Sequence, residues 1–171
     1  MKPKHAFRYT GVMHDTYFAA LTLARIAFED LNEVLAAVPD EALDWTPAAG
    51  TNSLPVLARH VISATAFLSA SASGLGPDRE KYVKGDRATA FKAKGVTGAA
   101  LQAEVTAFAD EVGLLLARGT DATLAAKMPW PMADGRNWCG AELLIHTIGH
   151  LREHVGQAEL MRDLWLAKAA S

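Results

Sequence analysis

Four long stretches of this chain repeat apolar residues at three- and four-residue steps, and strong helix breakers separate them. That period belongs to the α-helix, so the pattern predicts an all-α chain. The first stretch is expected over residues 15–37, with Phe18, Leu21, Ala24, Ile26, Phe28, Leu31 and Leu35 as its buried stripe and Pro39 as its stop. A loop over residues 44–53 ends at Asn52 and Ser53, either of which can cap a second helix with Pro55 in its first turn. This helix runs to about residue 73 and stops at Gly74. Thr97 caps a third helix over residues 99–117, with Leu101, Val105, Phe108, Val112 and Leu115 inward and Gly119 just beyond it. The fourth starts near Cys139, where Glu142 stands at the position of a capping-box acid, and continues to about residue 168. Four long helices in one small domain make a helical bundle.

The intervening segments read differently. Residues 75–96 are rich in glycine and lysine with only Tyr82 and Phe91 as anchors, and are expected to be a long, partly ordered connection. Within it, residues 79–84 read as a solvated charged loop. Residues 128–136 carry two prolines and the pair Asp134-Gly135, the composition of a turn-rich, hairpin-like excursion.

At 171 residues the chain is most simply one domain spanning 1–171, with about the first 13 residues as an N-terminal arm. Its 17 basic and 19 acidic residues leave a formal charge of −2 and no basic stripe, so nucleic acid is not an expected partner. No stretch reaches the ~18–20 uninterrupted apolar residues of a membrane span, and residues 1–8 lack the apolar core of a secretory signal. The single cysteine, Cys139, excludes an intrachain disulfide and suits a reducing compartment. The expectation is a cytoplasmic protein with no membrane partner.

Chemistry enters through histidine. His146, His150 and His154 stand at four-residue spacing, one helical turn apart. With about 100° per residue, Leu144, Ile148, Leu151, Val155 and Ala158 form the apolar arc, opposite Arg152, Gly156, Glu159 and Asp163. His150 and His154 lie at the edge of that arc, and His146 lies closer to the rim. On the second helix His60 sits among Val56, Leu57, Ala64, Phe67 and Leu68, while Arg59 and Ser69 face away. Three inward imidazoles from two helices can occupy three corners of a tetrahedron and leave the fourth for water or substrate, as in a catalytic rather than a structural metal site. The ladder has no glutamate after its first histidine, so it is not a zincin motif. Imidazole suits several divalent ions, zinc and nickel foremost here.

The motifs also carry a family likeness. His150, three residues, then His154-Val-Gly-Gln157 and later Leu160-Met-Arg162 resembles the last-helix signature of the DinB/YfiT-like superfamily. Leu57-Ala-Arg-His60 is similar to its second-helix histidine motif, Trp45-Thr-Pro47 through Asn52-Ser53 to the preceding loop, and residues 133–136 to the segment before the last helix. The resemblance spans roughly residues 15–166. It implies a four-helix bundle in down-up-up-down order with a long crossover, a divalent metal on His60, His150 and His154, and a homodimer. Some members of such a family join a low-molecular-weight bacterial thiol to an electrophile, so the partner expected is a small-molecule thiol or electrophile. The function expected is that of a metal-dependent thiol S-transferase-like or hydrolase-like enzyme. The alternative is a non-catalytic, stress-associated dimeric binding or regulatory bundle whose metal is structural or absent.

Other residues complete the expectation. Gln157, one turn beyond the ladder, and His146 are the catalytic candidates: the first to orient a ligand, the second to move protons or line the pocket mouth. Arg162 projects from the apolar arc, so it should meet a carboxylate from another helix or snorkel out. Tyr17 is placed where it can reach the pocket. Trp45, Trp130, Trp138 and Trp165 are read as core or loop anchors, and Cys139 as a helix-start residue without a catalytic partner.

Overall fold

Helix ends in this chain are set by local chemistry, and the bundle follows from how those ends meet. The computed structural model describes residues 13–130, 132 and 134–171. The expected N-terminal arm, about the first 13 residues, lies almost wholly outside the described residues, and residues 1–8 entirely so.

Helix α1 spans Asp15–Ala36. Its cap is His14, whose Nδ1 accepts from the Thr16 amide while its Nε2 donates to Asp121. Pro39 follows in extended backbone and opens a single short turn, Asp40–Leu43. Helix α2, Leu54–Ala72, begins after Ser53 with Pro55 in its first turn; the Ser53 side chain makes no capping bond. Helix α3, Gly98–Leu116, is capped by the Thr97 hydroxyl on the Ala100 amide. Helix α4, Gly140–Ala169, starts from Cys139, whose amide donates to Glu142 at 2.8 Å, the acid's half of a capping box.

α1 packs on α3 and α4, and α2 packs on the same two helices, which puts α1 and α2 at opposite corners of a square. At one end the Tyr17 hydroxyl, at the start of α1, donates to the Ala72 carbonyl at the end of α2 at 2.6 Å and lies 2.8 Å from Thr123 Oγ1. Gly119, just past α3, rests against the Tyr17 ring, and Gly140, at the start of α4, rests against the Thr123 and Ala72 carbonyls. The starts of α1 and α4 and the ends of α2 and α3 therefore share one end of the bundle, which is the down-up-up-down order. Tyr17 closes this end, buried at 0% exposure, and does not reach the histidines as its sequence position had led us to expect. Burial also raises its phenol pKa. A Cβ on Gly119 would stand 2.2 Å from the Tyr17 ring. Gly119→Ala is expected to cost about 1–3 kcal/mol through overpacking, and an unchanged urea midpoint would contradict this packing.

α2 is the most enclosed helix, with fifteen of its nineteen residues buried. By length and composition it is apolar enough to cross a bilayer, yet 78% of its apolar window is covered by the rest of the bundle. This enclosure corrects the expectation for Ser69, which is buried rather than facing away; Arg59 does turn outward, to a two-pronged pair with Glu104 on α3. On α1 the correction runs the other way. Phe18 is 60% and Ile26 46% exposed, because the buried arc is fixed by the two helices α1 touches and both residues point past them. On α3, Leu116 replaces Leu115 as the fully buried residue at that level.

The largest departure lies between α2 and α3, which run the same way, so their connection must travel the length of the bundle. Residues 79–90 of this crossover are helical: Arg79–Lys81, then a π-helical stretch Tyr82–Arg87, then Ala88–Ala90. Residues 79–84 are therefore helical and not a loop, although all of them except half-buried Tyr82 are exposed, as a solvated segment would be. Asp78 caps the segment on the Lys81 amide, and Tyr82 stacks on Phe67 of α2 with ring centroids 4.3 Å apart and planes at 9°. Residues 128–136 do fold back as a hairpin-like excursion. The Met128 amide donates to the Trp138 carbonyl and the Gly140 amide to the Ala126 carbonyl, around one antiparallel bridge between Lys127 and Cys139. Gly135 turns the tip at φ +78°, a left-handed conformation that favours glycine.

Candidate metal centre

His60 projects from the first half of α2, and His150 and His154 project from the middle of the facing helix α4. One nitrogen from each of the three rings lies within 4.8 Å of the others. The ring centroids are 5.2 Å apart for His60 and His150, 4.8 Å for His60 and His154, and 4.5 Å for His150 and His154, all edge to face. The sequence-derived preference for positions 150 and 154 over 146 matches this convergence.

The finer geometry tests whether an ion fits. Nε2 of His150 and Nε2 of His154 face each other at 3.2 Å. Two imidazole nitrogens on one tetrahedral ion, each at about 2.0–2.1 Å, stand about 3.3 Å apart. This pair is thus already at the separation that shared ligation requires. With all three nitrogens within 4.8 Å of one another, bringing the whole triad to that tetrahedral separation closes the widest gap by about 1.5 Å. The Nδ1 atoms of His60 and His150 are buried without a hydrogen-bond partner. Unpartnered polar atoms in a packed interior are costly, so these two rings are held in place by the packing of the bundle and not by hydrogen bonds at Nδ1.

Protonation states agree. Burial first, then the His154 and His150 rings and the Arg87 guanidinium, push His60 down to about 4. His150 is pushed down to about 4 by burial first, then by His154, His146 and Arg87, against a smaller opposing pull from Glu153. Neutral imidazoles are what a metal needs. Gln157 fixes the third ring. Its Oε1, an acceptor, is 2.9 Å from His154 Nδ1, an arrangement that suits the tautomer with the proton on Nδ1 and turns Nε2 toward His150. Gln157 itself is exposed and borders a separate groove with Leu57 and Leu160, on the side of His154 away from the main cavity.

That cavity, about 450 Å³, opens on the other side of the triad. His60 and His150 form its floor, with His146 at one wall, where its ring meets Trp138 edge-on at 5.1 Å. Trp130, Met132, Phe67 and Tyr82 supply apolar walls, and Arg79 and Arg87 reach in from the crossover. Phe91 lies against the His60 ring at 4.9 Å. Sequence reading assigned none of these crossover residues to the site; the four-residue spacing of Arg79, Val83 and Arg87 was the available signal. Trp130 and Trp138 are loop anchors that also wall the site, whereas Trp45 and Trp165 pair with each other, ring centroids 5.7 Å apart. Arg162 makes its direct ion pair within α4, although Glu33 of α1 is close enough to add to the field that raises its pKa. It runs outward to Asp163, the next residue on α4, at 2.8 Å, so the snorkelling alternative is the one realised.

A four-helix bundle with three inward imidazoles on two facing helices, beneath a helical crossover, is a scaffold built around a candidate metal centre. The chain belongs to the DinB superfamily, whose family model matches residues 23–158 and so includes all three histidines. No curated protein matches the chain.

Proposed function

We propose that the protein holds one divalent ion, zinc or nickel, on His60, His150 and His154. We further propose that it acts as a metal-dependent enzyme, either an S-transferase joining a low-molecular-weight bacterial thiol to an electrophile or a hydrolase. The observation that carries this reading is the convergence of three imidazoles, two of which, His60 and His150, form the floor of a cavity large enough for a small molecule. No carboxylate belongs to the triad, so a bound ion would keep its full charge and strongly favour the thiolate or hydroxide form of a thiol or water in the fourth position. Gln157 positions His154 rather than touching substrate. His146, on the cavity wall, is placed to exchange a proton with a ligand there. Trp130, Phe67 and Tyr82 exclude water from the reacting face.

The chain is proposed to work in the cytoplasm as a homodimer. Exposed Phe18, Ile26 and Ile145 lie on the adjacent helices α1 and α4 and support a self-association surface. Protein purified without a histidine tag should carry close to one divalent ion per chain by elemental analysis. Turnover of bacterial thiols with a reactive electrophile should appear in metal-replete and not in chelated protein. Metal-free protein from several expression conditions would defeat the centre. A loaded centre whose fourth position is filled by a protein group would defeat catalysis and leave a structural, non-catalytic bundle.

A further inference from the structure

Charge on the crossover is sorted by side. Glu80 and Lys84 pair with each other at 2.6 Å, both largely exposed. Asp78 and Asp86, together with Lys81, border the groove between α2, α3 and the crossover, so every acid of this segment lies outside the histidine cavity. The face turned to the histidine cavity carries Arg79, Tyr82, Val83 and Arg87. The wider turn of the π-helical stretch brings Tyr82, Val83 and Arg87 to that one side.

Neither cavity arginine forms an ion pair among the described residues. Arg79 lies over the Trp130 ring at 5.8 Å and Arg87 over the Phe91 ring at 4.8 Å, contacts that hold the guanidinium groups in place while leaving their N–H donors free. No aspartate or glutamate lines the cavity among the described residues. Two forked cations and an apolar, aromatic wall, with no internal counter-charge, are complementary to one kind of ligand.

The geometry points to a small organic anion as the ligand of this cavity, its carboxylate or phosphate held by Arg79 and Arg87 and its apolar body against Trp130, Phe67 and Tyr82. The assignment deepens the proposed function by naming the substrate class, and it rests on that reading for the identity of the reacting centre but not for the binding itself. Bound there, the anion would hang from the crossover above the floor formed by His60 and His150.

The test is a calorimetric titration of benzoate and its neutral counterpart benzamide, at low chloride, into the full chain as purified with zinc and after chelation. Benzoate should bind about tenfold or more tighter than benzamide in both forms. Arg79→Gln and Arg87→Gln should each lower benzoate affinity about tenfold while leaving benzamide unchanged. Lys84→Gln, which removes the same charge from the outward side of the same segment, should change neither. Elemental analysis and a thermal melt accompany every variant, and both should match the parent. Equal binding of benzoate and benzamide would overturn the assignment, as would benzoate binding indifferent to both arginine variants or weakened equally by Lys84→Gln. Arginine-dependent benzoate binding in a chain that never takes up metal would uphold it and sink the metal reading alone. Full metal loading with charge-indifferent binding would do the reverse.

Discussion

His60→Ala is expected to empty the metal centre. In the proposed centre His60 would be the one ligand supplied by α2 among the described residues, and without it an ion would be held by two imidazoles of a single helix turn. Two solvent-accessible imidazoles bind weakly, and loss of one of three protein ligands should lower affinity by far more than the 10–100-fold typical of removing an outer partner. The measured quantity is metal per chain after dialysis against a weak competing chelator, which should fall from near one to near zero. Because His60 is 5% exposed and packs against Phe91, truncation also leaves a cavity, so His60→Gln provides a polar, bulkier comparison with the same expected loss of metal. Retained stoichiometry in both variants would show that α2 contributes no ligand. Gln157→Leu should act more gently, lowering affinity about 10–100-fold by freeing the His154 ring without removing a ligand.

The metal-free protein should lose stability steeply on mild acidification. In the unfolded chain both His60 and His150 take up protons near pH 6.5. In the fold both are held down to about 4. Between those values the unfolded chain binds more protons than the native one, so stability falls as pH falls through this window and is flat above it. A shift of this size corresponds to about 3 kcal/mol for one such residue. Because the two rings are mutually coupled and His150 is partly exposed, roughly 3–4 kcal/mol for the pair is the reasonable total. For a domain of this size that is about 6–16 °C in Tm. Saturating metal at about 1,000 times its Kd should add about 4 kcal/mol near neutral pH, and that increment should vanish by about pH 5 as protons displace the ion. Thermal melts from pH 7.5 to 4, with and without chelator, read both effects. A metal-free Tm that is level between pH 7 and 4.5 would contradict the burial of these two rings.

The four helices and the histidine set were legible in the sequence because both depend on spacing along one helix, and spacing survives folding. The boundaries of α2 and α3 followed from Ser53, Pro55, Gly74 and Thr97, residues whose conformational preferences are local. The inward face of α2 pointed to His60 as the third imidazole, and the family likeness agreed with that choice and added the order of the helices. The crossover was not legible. Its lysines and glycines read as solvated chain, whereas Tyr82 on Phe67 and Phe91 on His60 are contacts between segments that no local period announces. The same limit explains Phe18, Ile26 and Ser69: an apolar stripe locates one face of a helix, but the number of neighbours decides how wide the buried arc becomes. Gln157 was singled out as a catalytic candidate, yet the structure places its side chain against His154 and not in the lining of the cavity.

An ion shared by α2 and α4 would tie together two points of the chain that enclose the crossover, all of α3 and the hairpin-like excursion. It would behave as a reversible staple, shrinking the freedom of the denatured chain as a covalent bridge does. A cell that sequesters the ion would then loosen the whole middle of the molecule at once, and protease cutting within residues 73–97 becomes a readout of metal supply.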